Sequence, residues 1–310
     1  MEQCLMVLRI IAPIFAAVFI GAAARKNNIM TAQQLGGLQQ FAVKFGLPCV
    51  LFNSCFTANI TAESVTSMLL VLPLLFVSSA WAFSVRRKKY RYHNLPMMFS
   101  AQESGMLGIP LFIALFGAQH AYRIGMLDLA QSFIAIPVIA VLTSDSGKNS
   151  SIKEIAGKVF RSPLLLMSLL GLVLNLSGAA AWLNSAGWGE VISQTAGFIS
   201  QPVSASMLFS VGYNFSISKG NRKIIFRIAA LHFALFMLFC GVMQAVLLLI
   251  PEVDPMTRWA VLIYGILPPS YLSPSMGRNE EEYTVASGVC SILTVVTLAL
   301  FCVITGACLR

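Results

Sequence analysis

The sequence predicts an all-α membrane protein of ten transmembrane helices in two inverted five-helix repeats, and three observations lead there. Apolar stretches long enough to cross a bilayer recur from end to end, in a chain of which 57% of residues are hydrophobic and only 11% charged. The basic residues between these stretches gather in alternate loops. Proline landmarks in the two halves also recur at nearly equal offsets, 154 residues from Pro48 to Pro202 and 159 from Pro110 to Pro269. Because five is odd, a second copy of a five-span unit enters the membrane upside down relative to the first.

The spans run over about 5–25, 36–58, 65–85, 95–116, 121–143, 163–181, 190–216, 224–250, 257–276 and 283–309. They divide the chain into a first repeat, 1–145, a polar cytoplasmic linker, 146–162, and a second repeat, 163–310. With the N-terminus outside, the inside loops hold Arg25 and Lys26, the run from Arg86 to Arg91, Lys148 to Arg161, Lys219 to Arg227, and Arg278. Only Arg123, Arg258 and Arg310 fall outside, so both termini are expected there. The net charge of +9 thus reads as membrane topology, and no nucleic-acid partner is expected.

The first span places Pro13 and Gly21 among small residues, which suits close helix packing. Ala22, Ala23 and Ala24 resemble a signal-peptidase site, but Arg25 and Lys26 follow the apolar run instead of preceding it, so the span is retained. In the second, Gly46 and Pro48 weaken the helix. Lys44 lies about 12 Å in from the cytoplasmic end and has two readings, a snorkelling stem or a cavity-facing cation. The third span is bland, and the RRKKYRYH run after it anchors topology.

The fourth span, SAQESGMLGIPLFIALFG from Ser100 to Gly117, is the stretch around which the chain is organised. Gly105, Gly108 and Pro110 predict a broken helix, since proline removes a donor and clashes with the preceding turn. Broken backbone survives in hydrocarbon only where protein covers it or where it lines a wet cavity, which puts Gln102, Glu103 and Ser104 at the cavity edge. The fifth span carries Asp128, with Gln131 and Ser132 one turn later. An acid there must be protonated, paired or wetted, and Arg123 or a helix end could pair with it.

In the second half, QPVSASMLF of the seventh span parallels LPCVLFNSCF of the second, and ILPPSYLSP of the ninth supplies another proline break at Pro268 and Pro269. His232, in the eighth span, reads as a packing residue before a proton relay. Glu280, Glu281 and Glu282 cap the start of the tenth helix. The seven cysteines are scattered singly and read as small core residues, so no metal, cofactor or disulfide framework is expected.

Taken together, GLPCVLF, SGMLGIPLFIALFG, LDLAQS, RSPLLLMSLLG, QPVSASMLFSVG and ILPPSYLSPSMG, in this order over nearly the whole chain, resemble the auxin efflux carrier family, which includes bacterial carriers of malonate, malate and related organic acids. The resemblance implies a sodium/proton antiporter-like fold in which broken helices 4 and 9 cross near the midplane. It also implies a scaffold of spans one, two, six and seven, an elevator-like transport domain made of the rest, and a bacterial cytoplasmic (inner) membrane location. Gly105, Gly108 and Pro110 match the first crossover, Pro268 and Pro269 the second, and Asp128 with Gln131 the fifth-span polar pair. The chain departs from the family at Glu103 and at Ser132, where relatives commonly carry asparagine.

The function expected is secondary transport of a small organic anion. Half-helix N-termini offer amides to a carboxylate, Lys44 adds charge, and Gln102, Ser104, Gln131, Gln201 and Ser204 supply orienting hydrogen bonds. Glu103 and Asp128 are the titratable groups for proton coupling. An ionised Glu103 would repel an anion, which leaves open a cationic, zwitterionic or neutral solute coupled to sodium or protons. A membrane sensor that kept the fold without turnover is a further alternative. With no His-Glu-x-x-His pair, nucleophile elbow or P-loop in the sequence, an enzyme is not expected. Besides lipid, a second copy of the chain, joined through the scaffold, is the partner that fits the antiporter-like architecture.

Overall fold

The computed structural model describes residues 2–58, 62–86, 92–145, 163–215, 222–250 and 253–308. The linker, most of the basic run after the third span, Lys219 and Arg310 lie outside the described residues. Within them the chain is helical, and its only β-pairing is a single antiparallel bridge between Gln102 and Pro269.

Six helices are long and apolar enough to cross a membrane, namely α1 (Glu2–Lys26), α2 (Ala32–Phe56), α3 (Ala62–Val85), α6 (Tyr122–Asp145), α11 (Arg222–Leu247) and α13 (Glu280–Cys308). A seventh arises if α7 (Pro163–Leu176) and α8 (Ala179–Ser185) are counted together, although they bend by 76°. Gly178, at φ +78°, makes that corner, so the expected continuous sixth span is instead a bent pair. The fourth, seventh and ninth predicted spans are short helices. The fourth comprises α4 (Leu95–Met98) and α5 (Ser104–Phe116), the seventh α9 (Trp188–Ser200) and α10 (Val203–Asn214), and the ninth α12 (Pro255–Gly265).

The prolines act as their chemistry requires. Ahead of Pro48 the helix widens into a π turn over Ala42–Gly46, and ahead of Pro110 into another over Ser104–Gly108. A proline ring crowds the carbonyl four residues back, and the chain relieves this by bonding i to i+5, as Leu47 N–H does to Ala42 O and Ile109 N–H to Ser104 O.

Helix α1 packs on α10, α2 on α7 and α9, α3 on α6, and α11 on both α12 and α13. At the first of these contacts the two main chains touch. A Cβ on Gly21 would lie 2.0 Å from Phe209 O, and one on Gly212 would lie 1.9 Å from Val18 O. The small residues of the first span thus serve the close packing expected of them. Helix α5 starts deep in the protein, with Ile109, Leu111 and Phe112 wholly buried.

Gly212→Val is expected to lower the detergent melting temperature by several degrees, since overpacking costs about 1–3 kcal/mol. Gly197→Ala, at a position with no atom within 4 Å of the added carbon, is expected to leave it within about 1 °C. Equal melting temperatures for the two variants would refute the main-chain contact.

Candidate functional site

The two interrupted helices meet where each lacks its own hydrogen bonds. Between α4 and α5 the chain runs extended through Gln102, and after α12 it does so through Pro268 and Pro269. The segments lie antiparallel, with Glu103 N–H donating to Pro268 O at 2.8 Å and Ser270 N–H to Ala101 O at 2.9 Å. Two prolines in succession suit the second segment because neither has an amide proton that would need a partner there.

On the far side of Gln102 no strand is available, and a side chain replaces one. Gln131 of α6 accepts from Gln102 N–H at 2.9 Å and donates to Gln102 O at 3.1 Å, so its amide does what a neighbouring peptide would. The same nitrogen lies 2.7 Å from Ser104 Oγ and 2.7 Å from Asp128 Oδ1. Its oxygen also accepts from the Tyr264 hydroxyl at 2.8 Å, and the Ser104 hydroxyl donates to Asp128 Oδ1. Because acceptors surround that end of the Gln102 side chain, its amide nitrogen is assigned there, where it would donate to Pro268 O (3.0 Å) and Leu267 O (3.2 Å) of the second segment and to His232 Nε2 of α11 (3.2 Å). The imidazole stacks on Phe236 with centroids 4.5 Å apart.

Glu103 binds across the crossing. At the N-cap of α5, its Oε1 accepts from Met106 N–H at 3.2 Å, while Oε2 accepts from Tyr271 N–H at 2.6 Å on the other segment. The Tyr271 hydroxyl in turn shares a hydrogen bond of 2.8 Å with Thr294 Oγ1 of α13. Both Glu103 and Asp128 are 8% exposed, and neither has an ion-pair partner among the described residues.

Next to this core lies a cavity of about 500 Å³. Arg25 of α1 and Asn214 of α10 form one wall, and Tyr283, Ser287, Ser291 and Thr294 of α13 the other. The hydroxyls at 287, 291 and 294 share a helix face by their spacing. Tyr271 and Cys290 close the inner end. Arg25 Nη1 donates to Phe215 O at 3.0 Å and Tyr213 O at 3.3 Å, which fixes the guanidinium at the mouth.

The structure therefore brings together Gln102, Glu103, Ser104, Asp128, Gln131, Pro268 and Pro269. Gly108 belongs with them through packing, since a Cβ there would meet Leu267 Cδ1 at 2.7 Å, and Pro110 is buried just behind. Gly105 borders open space, with no atom within 4 Å of an added carbon. Other candidate residues stand apart from the crossing. Lys44 is on the exposed face of α2, with its ammonium 3.5 Å from Gln40 Oε1, and takes no part in the crossing. Gln201 is exposed between α9 and α10 and, like half-buried Ser204, shares no hydrogen bond with the crossing residues among the described ones. Asp128 does not pair with Arg123, which instead binds Asp254 and Thr257 Oγ1, both at 2.6 Å.

Sequence reasoning missed Tyr264, Tyr271, Thr294 and the lining role of Arg25. The Ser/Thr spacing in the last span was the available signal for the α13 wall. Among the described residues no group of three His, Cys, Asp or Glu side chains could hold a metal.

Gln131→Ala would strip partners from Gln102 N–H, Gln102 O and the Tyr264 hydroxyl, all buried, at about 1–3 kcal/mol for each group left unmet. A fall in melting temperature well beyond that of Gln194→Ala, an exposed partner of Glu190, is expected, and equal falls would refute the bridging role.

The family model for membrane transport protein matches residues 6–307. No curated protein matches the chain.

Proposed function

Because the chain belongs to the auxin efflux carrier family, whose members are membrane transporters, we propose that it is a secondary active carrier of a small organic anion, with ten membrane segments in two inverted repeats. The observation that carries this reading is the cavity, lined by α1 and α10 and by α13, with Tyr271, whose amide binds Glu103 of the crossing, also in its lining. Its volume suits a small solute. Among the described residues Arg25 is the one charged residue of its lining, and a guanidinium offers a carboxylate two parallel donors. The α13 hydroxyls face it across the space and would hold a second carboxylate or hydroxyl of the same solute.

The packing suits an elevator-type cycle. Helices α1, α2, α7, α9 and α10 form one contacting set and would be the scaffold, whereas α3, α6, α11, α12 and α13 form another around the crossing and would move. Glu103 and Asp128 are the groups that would carry a coupled proton, since a buried carboxylate without a cation is most cheaply kept by binding one. The same pair of unneutralised carboxylates favours a second reading, a cationic or zwitterionic solute whose positive group they would meet.

A thermal-shift screen of the detergent-purified protein against mono- and dicarboxylates at acidic and neutral pH tests the two, with hits taken into liposome flux. A ligand that binds the folded state raises the melting temperature by mass action. Stabilisation by a carboxylate, with flux that depends on pH in the native protein and not in Glu103→Gln, is the expected result. Stabilisation by amines alone would replace the anion reading with the second one.

A further inference from the structure

We infer that Glu103 is a built-in competitor for solute carboxylates at the crossing, and hence a residue that sets which solutes this chain accepts there. The amide donors of the crossing converge from two separate segments, Met106 N–H from the first turn of α5 and Tyr271 N–H from beyond the second break. A carboxylate is already seated between them, at 3.2 Å and 2.6 Å, and it belongs to the protein. Further along α5 the main-chain donors turn inward, Gly108 N–H to Glu103 O and Ile109 N–H to Ser104 O. A solute carboxylate would therefore find these two converging donors taken, and would meet the field of a like charge as well. In this chain the anionic end of a solute is held in the cavity at Arg25, with Tyr271 standing between it and the crossing.

Two features of the surroundings show that the position could accept a separate small anion once the side chain is gone. Tyr271, which supplies one of the two amides, lines the 500 Å³ cavity, so the position borders an approach path. Gly105, one residue before Met106, has no atom within 4 Å of where a side chain would begin, so the space on that flank is not filled by packing. Removing the carboxylate would leave two amide donors from different segments without an acceptor, beside open volume.

The selectivity consequence rests on the carrier reading, but the test does not use transport. Purified Glu103→Ala is melted in detergent with sodium formate, sodium acetate or sodium benzoate, each against sodium chloride of matched ionic strength, beside the native protein. The variant should melt lower than the native protein. Formate and acetate should raise its melting temperature by about 2–4 °C over the chloride control while leaving the native protein unchanged, and benzoate, too large for the vacated volume, should not. If Glu103→Ala does not fold, Glu103→Ser carries the same comparison, since a serine at the N-cap can serve Met106 N–H and leaves Tyr271 N–H vacated. Equal stabilisation of native protein and variant by formate, or none in either, would overturn the inference. A protein that shows formate rescue and no flux in liposomes would overturn the carrier reading alone.

Discussion

Two interrupted chains lying across each other inside an apolar body create a shortage of hydrogen-bond partners, and the surrounding helices are arranged to meet it. Each buried peptide group left unpaired would cost several kcal/mol in a medium without water. The Gln102–Pro269 pairing supplies only one short ladder. The remainder comes from side chains, and nearly every neighbouring helix contributes. Helix α6 sends Gln131, α12 sends Tyr264, and α13 sends Thr297, which donates to Ile266 O at 2.5 Å. Asn94, ahead of the first break, donates to Ser273 O at 3.1 Å beyond the second. The positions of α6, α12 and α13 are therefore fixed by polar obligations at the centre as much as by apolar packing.

What the sequence revealed and what it hid separate along physical lines. Pro110 and Pro269 announced the breaks because proline acts on its own backbone, and Gly21 announced a close helix contact because the absence of a side chain is visible in one letter. Partner choice is a tertiary matter, and there the reading went astray. Arg123 was one of two partners open to Asp128, the other being a helix end, yet Arg123 reaches α12, and Asp128 turns to Ser104 and Gln131. Lys44 looked like a site residue for its depth in an apolar segment, and depth does not say which face of a helix a residue occupies. Tyr271 gave no signal at all, since its contribution to the crossing is a main-chain amide that any residue but proline could provide.

Charge is distributed unequally through the molecule. At the rim Asp254 accepts from Met256 N–H, as the N-cap of α12, and receives Arg123 from α6, so a compensated ion pair ties the starts of these two helices. At the centre, two carboxylates stand within one residue's reach of each other through Ser104 and have only neutral donors. Neutral hydrogen bonds orient a carboxylate without cancelling its charge. The rim arrangement is suited to permanence and the central one to a change of protonation or partner.

The touching main chains of α1 and α10 decide which wall of the cavity can yield. Interdigitated side chains give way by changing rotamer, but two backbones already in contact have no such freedom. The wall carrying Arg25 and Asn214 is in effect a stiff plate, and a bulkier guest can be accommodated only from the opposite side. There, any outward displacement of α13 would draw Thr294 away from the Tyr271 hydroxyl. On the carrier reading, the size of a solute would bear on the tyrosine whose amide holds Glu103, linking solute dimensions to the crossing through a single residue.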